Sequence, residues 1–229
     1  SWATFTASTG VLAGTPLNAN VGANSVVITA SDGNGGSVTD TFTITVVNAN
    51  DAPTITSTAV TAATEDVAYT YTVTTADDDS DTITLTGTTV PSWLTFTAST
   101  GVLTGTPLDA HVGDNNVVIT ASDGNGGSVT DTFTIAVANT NDAPAVSSTA
   151  VTPATEDSSY SYSITTSDDD SDSSDSWTIT CTTCPSWLSV SHTAGASTAT
   201  LSGTPLNANV GDNSVVISVA DAASATGTQ

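Results

Sequence analysis

From Val67 to Val73 the chain reads VAYTYTV, which places Val67, Tyr69, Tyr71 and Val73 on one face of an extended strand and Ala68, Thr70 and Thr72 on the other. The two-residue period continues downstream. Ile83 and Leu85 point inward from TITLT, Val117 and Ile119 from NVVITAS, and Phe133, Ile135 and Val137 from VTDTFTIAV. Further strands near 54–57, 94–97 and 102–104 bring the count to seven, with turn residues between them and no helical period in competition. Seven short strands in about 90 residues predict an immunoglobulin-like β-sandwich with Trp93 in or beside its core. The glycines of DGNGG supply the positive φ that a tight hairpin between the last two strands needs.

This pattern repeats. SWATFTASTGVLAGTPLNANVG (1–22) returns as SWLTFTASTGVLTGTPLDAHVG (92–113), and DGNGGSVTDTFTI (32–44) returns unchanged at 123–135. NANDAP (48–53) matches NTNDAP (139–144), and ATED occurs at Ala63 and Ala154. A third copy drifts through short insertions before PSWL at Pro185 and GTPL at Gly203. The chain is therefore expected to hold the C-terminal part of one module (1–51), a complete module (52–142) and a third lacking its last strand (143–229). The fold class is all-β: tandem seven-stranded sandwich modules in an elongated array.

Three motifs, PSWLTFTASTGVLTGTP, ITASDGNGGSVTDTFTI and the boundary NxNDAP, carry a resemblance that covers essentially the whole chain. They are similar to the cadherin-like, "putative Ig" tandem repeats of dystroglycan type found in microbial surface adhesins and extracellular fibres. The resemblance implies repetitive adhesive or structural modules, often calcium-dependent.

Charge sharpens the reading. The chain has no Lys or Arg against 23 acidic residues, a formal charge of −23. That excludes a basic surface for nucleic acid or anionic lipid. No apolar run is long enough to span a membrane, so no membrane insertion is expected of this segment. The absence of an initiating Met and of a signal-like apolar segment reads as a piece of a longer, exported protein.

In a seven-stranded sandwich, loops alternate between the two ends, and the acids follow that sorting. The incoming end of the middle module gathers Asp77, Asp78, Asp79, Asp81 and Asp123, with Asp51 just before. The outgoing end gathers Glu65, Asp66, Asp109 and Asp114, with Asn139, Asn141 and Asp142 in the linker after. The third module opens with Asp168, Asp169, Asp170 and Asp172, plus Asp221. Without internal cations these carboxylates repel, and a hard divalent ion with six to eight oxygen ligands, Ca2+ before Mg2+, would turn repulsion into a joint. Aspartate is used 21 times and glutamate twice, at the equivalent positions Glu65 and Glu156, where a longer side chain suits a bidentate ligand. The metal candidates are Asp51, Glu65, Asp66, Asp77, Asp79, Asp114, Asp123, Asn139, Asn141, Asp142, Glu156, Asp168 and Asp170. The competing reading is a solvated acidic loop. Asp40 and Asp131 share parity with the core residues and are expected to brace adjoining loops.

Other chemistry is thin. Cys181 and Cys184 lack a second Cys or His pair for zinc and are expected to form a small accessory disulfide. His111 replaces Asn20 and Asn209 of the sister copies, and His192 lies in an insertion-bearing stretch. No nucleophile accompanies them, and GTPL lacks the Lys of a phosphate loop, so no catalysis is expected. Threonine dominates the outward positions, where β propensity, O-glycosylation or a flat surface-binding array all fit. The leading expectation is an extracellular, cell-surface rod or filament stiffened by calcium, whose partners are neighbouring modules or copies of the same protein. The alternative is a module that binds glycan, ice or another surface through its Thr-rich faces.

Overall fold

The computed structural model describes residues 1–170 and 176–229. The chain divides into two compact units. The first comprises Ser1–Thr61, Ala68–Gly105 and Asn115–Ile135; the second comprises Ala62–Val67, Thr106–Asp114 and Ala136–Gln229.

In the first unit, Ala3–Thr6 pairs antiparallel with Val11–Gly14, and Gly22–Ser31 pairs with Ser37–Val46 over its full length. Val102–Gly105 lies between Leu94–Thr97 and Tyr69–Thr72 in a three-stranded sheet. Gly113–Ser122 pairs with Thr84–Thr89, with a register shift between Val118 and Ile119. Thr54–Ile55 meets Thr75–Ala76. The alternation does what the sequence requires: Tyr69, Tyr71 and Val73 are buried, and Leu103, Val117, Ile119 and Ile135 are fully buried. Each fully buried aliphatic side chain contributes about 1.5–3 kcal/mol. Tyr69 meets Trp93 edge-on and Tyr71 meets Phe133 the same way, with centroids 5.7 and 5.6 Å apart. The indole of Trp93 donates to Asn115 Oδ1 at 2.9 Å, and Trp2 and Trp187 do the same with Asn24 and Asn213.

The GTPL glycines owe their place to packing. Gly105 pairs with Leu94, and a Cβ there would run into the Trp93 carbonyl. Gly14 and Gly203 stand in the same way against the carbonyls of Trp2 and Trp187.

In the second unit, Tyr160–Ser167 lies between Ala145–Val146 and Thr198–Gly203, which in turn pairs with Leu188–His192. A second sheet holds Thr178–Thr183, Val216–Ala220 and Thr226–Thr228. Between the two lie Tyr162, Ile164, Ile179, Ala199, Leu201, Ile217 and Val219. Ala62–Thr64 runs parallel to Ala136–Ala138, the end of the strand Ser128–Ala138.

Four details depart from the sequence pattern. Val67, expected inward, is 57% exposed, because Asp66 at φ 57° turns the chain and the strand starts at Tyr69. Ala62–Thr64 and Thr75–Ala76 are additional short strands without alternation of their own. Where no strand was expected after the last hairpin, Thr226–Thr228 pairs with Val216–Ala220. Phe42 is 38% exposed, while its equivalent Phe133, which meets Tyr71 edge-on, is 9% exposed.

Candidate metal centre

The two linkers make the same bonds. In the first unit, Asn50 Nδ2 donates to Asp123 Oδ2 at 2.8 Å, and the Asp51 N–H donates to Asp79 Oδ2 at 2.6 Å. In the second, Asn141 Nδ2 donates to Asp221 Oδ2 at 2.8 Å, and the Asp142 N–H donates to Asp170 Oδ2 at 2.5 Å. Asn139 Nδ2 completes the latter set on Asp170 Oδ1 at 2.8 Å. A chain without Lys or Arg thus ties its acidic loops to its linkers with neutral N–H donors. Such bonds to an ionised acceptor are shorter and stronger than neutral pairs.

These donors set the acidities. The Asp51 N–H holds the Asp79 carboxyl below its usual value, against the opposing pull of burial and of the Asp123 charge. The Asn50 amide lowers Asp123, and the Asn141 amide lowers Asp221. Asp142 goes the other way: desolvation raises it first, and the charges of Asp66, Asp170, Asp169 and Asp109 raise it further.

Glu65, Asp142 and Asp170 place one carboxylate oxygen each within 4.8 Å of one another. Glu65 sits there because its N–H donates to the Ala138 carbonyl, fixing it beside the strand end that leads into the linker. Its Oε1 accepts the Thr140 N–H at 2.5 Å, whereas Oε2 is buried with no hydrogen-bond donor. Glu65 is 1% exposed and Asp170 6%. A buried anionic oxygen without a donor, next to two further carboxylates, is costly unless a cation shares the space. The all-oxygen donor set fits a hard divalent ion, calcium in particular.

A second group joins Asp77, Asp79 and Asp81, again within 4.8 Å. Asp77 Oδ1 accepts the N–H groups of Asp79 and Asp81 at 2.9 and 3.2 Å, while Asp77 Oδ2 and Asp79 Oδ1 are buried without a donor. Asn125 Nδ2 reaches Asp81 Oδ2 at 2.9 Å.

The remaining candidates take other places. Asp51 is exposed and meets the acidic loop through its backbone N–H, its own Oδ2 accepting from Asn18 at 3.2 Å. Asp66 is exposed, its N–H on the Pro107 carbonyl, and Asp157 repeats this bond with Pro205. Asp114 is exposed and joins neither group. Asp123 stays outside them too: its Oδ1 accepts the N–H groups of Asn125 and Gly127, closing the hairpin, and its Oδ2 holds the linker amide. Asn139 and Asn141, expected as ligands, turn amide nitrogens toward carboxylates instead. Glu156, the counterpart of Glu65, is exposed and lines a groove of about 800 Å³ with Tyr160, Trp187 and Val215. Asp168 is half-buried and accepts the Asp170 N–H at 3.3 Å. Asp172 lies outside the described residues. Cys181 and Cys184 form a disulfide with Cα atoms 5.5 Å apart.

The sequence reading missed the donors, above all Asn18, Asn50 and Asn125. For Asn50 and Asn125 the signal was the recurrence of Asn near a repeated Asp, directly before it in the linkers and two residues after it in the hairpins; Asn18 carries no such signal.

Three stretches, 1–47, 52–138 and 143–229, match the family described as Putative Ig domain. The chain belongs to the Putative Ig domain family. These three tandem Putative Ig repeats overlay cadherin ectodomains. PcdhgB3 EC1-4 matches at TM-score 0.57 with 15% identity, over 99% of this chain and 61% of that one. The Protocadherin GammaB4 extracellular domain matches at 0.56 with 18% identity, over 99% and 40%. Both likenesses show the fold. An endo-fucoidan hydrolase from glycoside hydrolase family 107 shares 27% identity over 100% of this chain and 36% of that one, but its TM-score of 0.39 carries no functional argument. The chain spans between 36% and 61% of these solved chains. No curated protein matches it. Among the described residues, no helix is long and apolar enough to cross a membrane.

Proposed function

We propose that the chain is an extracellular repeat region with a structural and adhesive role, in which calcium bound at acidic junctions stiffens the array. One observation carries this reading. Glu65 Oε2 is buried without a donor, and carboxylate oxygens of Asp142 and Asp170 stand within 4.8 Å in the same group. A divalent ion there would be held by these three side chains, and a second by Asp77, Asp79 and Asp81. The ion supplies the positive charge that a chain without Lys or Arg lacks.

In this reading the modules are 1–51, 52–142 and 143–229, and the NxND linkers are the joints. Each linker already touches an acidic loop through its Asp N–H, so a bound ion tightens an existing contact. The carboxylates recur as module-end sets without a nucleophile, which is the organisation of a scaffold and not of an active site. The disulfide suits an oxidising, extracellular compartment. Partners are neighbouring modules or further copies of the protein.

A second reading draws on the strand register. Thr95, Thr104 and Thr70 stand in one exposed row across the three-stranded sheet, a flat array suited to a glycan or another ordered surface. Calorimetric titration of the chain with calcium separates the two. The calcium reading expects saturable binding that weakens in Glu65→Gln. Absence of any binding heat, together with saturable binding to a glycan panel in chelator, would replace it with the surface-binding one.

A further inference from the structure

Among the described residues, the strand Thr178–Thr183 is the edge of its sheet, and it carries a bulge beside the disulfide. Its pairing with Val216–Ala220 shifts register between Cys181 and Thr183. The strand Thr84–Thr89 of the preceding repeat shifts in the same way, between Gly87 and Thr89. There Gly87 and Val90 take the places of Cys181 and Cys184, and Phe96 that of Val190. A Cβ at Gly87 would stand 2.7 Å from Val90 Cγ2 and 3.0 Å from Phe96 Cδ1, so those two side chains fill the space beside the bulge. In the later repeat Cys181 and Val190 pack against the core, and the bond to Cys184 spans the same bulge. One repeat thus holds by packing what the other holds with a covalent bond. The bond is not what sets the register.

The two cysteines differ in access: Cys181 is half-buried against the core, whereas Cys184 is exposed at the end of the edge strand. We propose that this disulfide is a thiol-exchange site, in which Cys184 takes up a small cationic thiol and Cys181 is the resolving group. The incoming thiolate attacks Cys184 Sγ and a new S–S bond forms there. The Cys181–Cys184 bond breaks, and its electron pair leaves with Cys181, whose thiolate takes a proton from solvent. Disulfide count is unchanged, so the step needs no oxidant or reductant beyond the thiol itself. In the reverse direction the Cys181 thiolate attacks Cys184 Sγ and expels the bound thiol. The bulge keeps the two residues close, with Cα atoms 5.5 Å apart in the bonded state, so the attachment is reversible.

Charge selects among thiols. The chain has no Lys or Arg and a formal charge of −23, so its field repels an anionic thiol and draws in a cationic one. Salt screens that preference. Exchange at Cys184 is independent of calcium, because neither cysteine belongs to the acidic groups.

The test incubates the intact oxidised chain with cysteamine, which is cationic, or with 2-mercaptoethanesulfonate, which is anionic and of similar size. Acid quenching and peptide mapping by mass spectrometry then locate the adduct, with rates normalised to those on a small uncharged disulfide. The expected adduct is on Cys184, with cysteamine about tenfold ahead at low salt and the gap closing at high salt. Without the resolving group, Cys184 in Cys181→Ala should react with a neutral disulfide reagent about tenfold faster than Cys181 does in Cys184→Ala. Unfolding in urea should equalise those two rates. The chain reduced with dithiothreitol should keep its β-sheet circular dichroism and melt only a few degrees lower. Adducts chiefly on Cys181, no adduct on the folded chain, or no charge preference at low salt would overturn the proposal. So would loss of β-sheet signal on reduction.

Discussion

Replacing Glu65 by Gln should change the stability of the chain in opposite directions with and without calcium. Gln keeps the oxygen that accepts the Thr140 N–H at 2.5 Å and exchanges the donor-less Oε2 for an amide nitrogen. Glu65 is grouped with Asp142 and Asp170, so an amide nitrogen on this side chain has carboxylate acceptors nearby. Without metal, the substitution removes a buried unsatisfied acceptor, a defect of about 1–3 kcal/mol. At about 2–4 °C per kcal/mol for a chain of this size, Glu65→Gln should melt several degrees above the unaltered chain in chelator. Calcium at a hundredfold over its Kd stabilises the unaltered chain by about 2.7 kcal/mol per site, or about 5–10 °C. The variant should lose most of that gain at this site, so the order of the two melting curves reverses. Differential scanning calorimetry in chelator and in calcium reads both effects. If Glu65→Gln melts lower in chelator, or gains as much from calcium as the unaltered chain does, the reasoning about the buried oxygen is wrong.

Three further predictions follow the same logic. His111 Nδ1 accepts the Leu108 N–H at 2.9 Å, where Asn20 and Asn209 use Oδ1 on Leu17 and Leu206; urea denaturation should therefore find His111→Asn neutral and His111→Ala about 1 kcal/mol less stable. Asn50→Asp should lower the melting temperature by setting a carboxylate against Asp123, and adding Asp123→Asn should restore part of the loss, as a double-mutant cycle would show. The lowered carboxyls of Asp79, Asp123 and Asp221 contribute stability that is present above their unfolded value near pH 4 and lost as pH falls through their folded values. Asp142, raised by burial and like charges, contributes with the opposite sign and relieves strain as it protonates, so melting in chelator should first hold or rise slightly toward pH 4 and then fall below it.

The sheets were readable wherever burial imposed a period. Leu94–Thr97 and the inward set Phe133, Ile135 and Val137 follow from alternation alone. Ala62–Thr64 and Thr75–Ala76 were not readable, because two or three residues carry no period and their pairing is decided by partners far along the chain. Val67 fits the alternation and still faces solvent, since the left-handed residue immediately before it, Asp66, is invisible to periodicity. At the site, loop parity put Glu65 at the outgoing end of the middle module, Asp142 in the linker after it and Asp170 at the opening of the third module. The structure puts one carboxylate oxygen of each within 4.8 Å of the others. What parity could not reveal was that Asn amides and backbone N–H groups satisfy so many of the other acids. Counting formal charges hides neutral donors, which is why Asp123 was read as a ligand when both of its oxygens already accept hydrogen bonds.

Small-angle scattering of the full chain, in calcium and then in chelator at one ionic strength, tests the central claim most directly. With calcium bound at the Glu65, Asp142 and Asp170 group, the maximum dimension should lengthen and the distribution of conformations narrow, and Glu65→Gln should blunt both changes. Scattering curves that superimpose in calcium and chelator would contradict the account and leave the acids as a solvated surface.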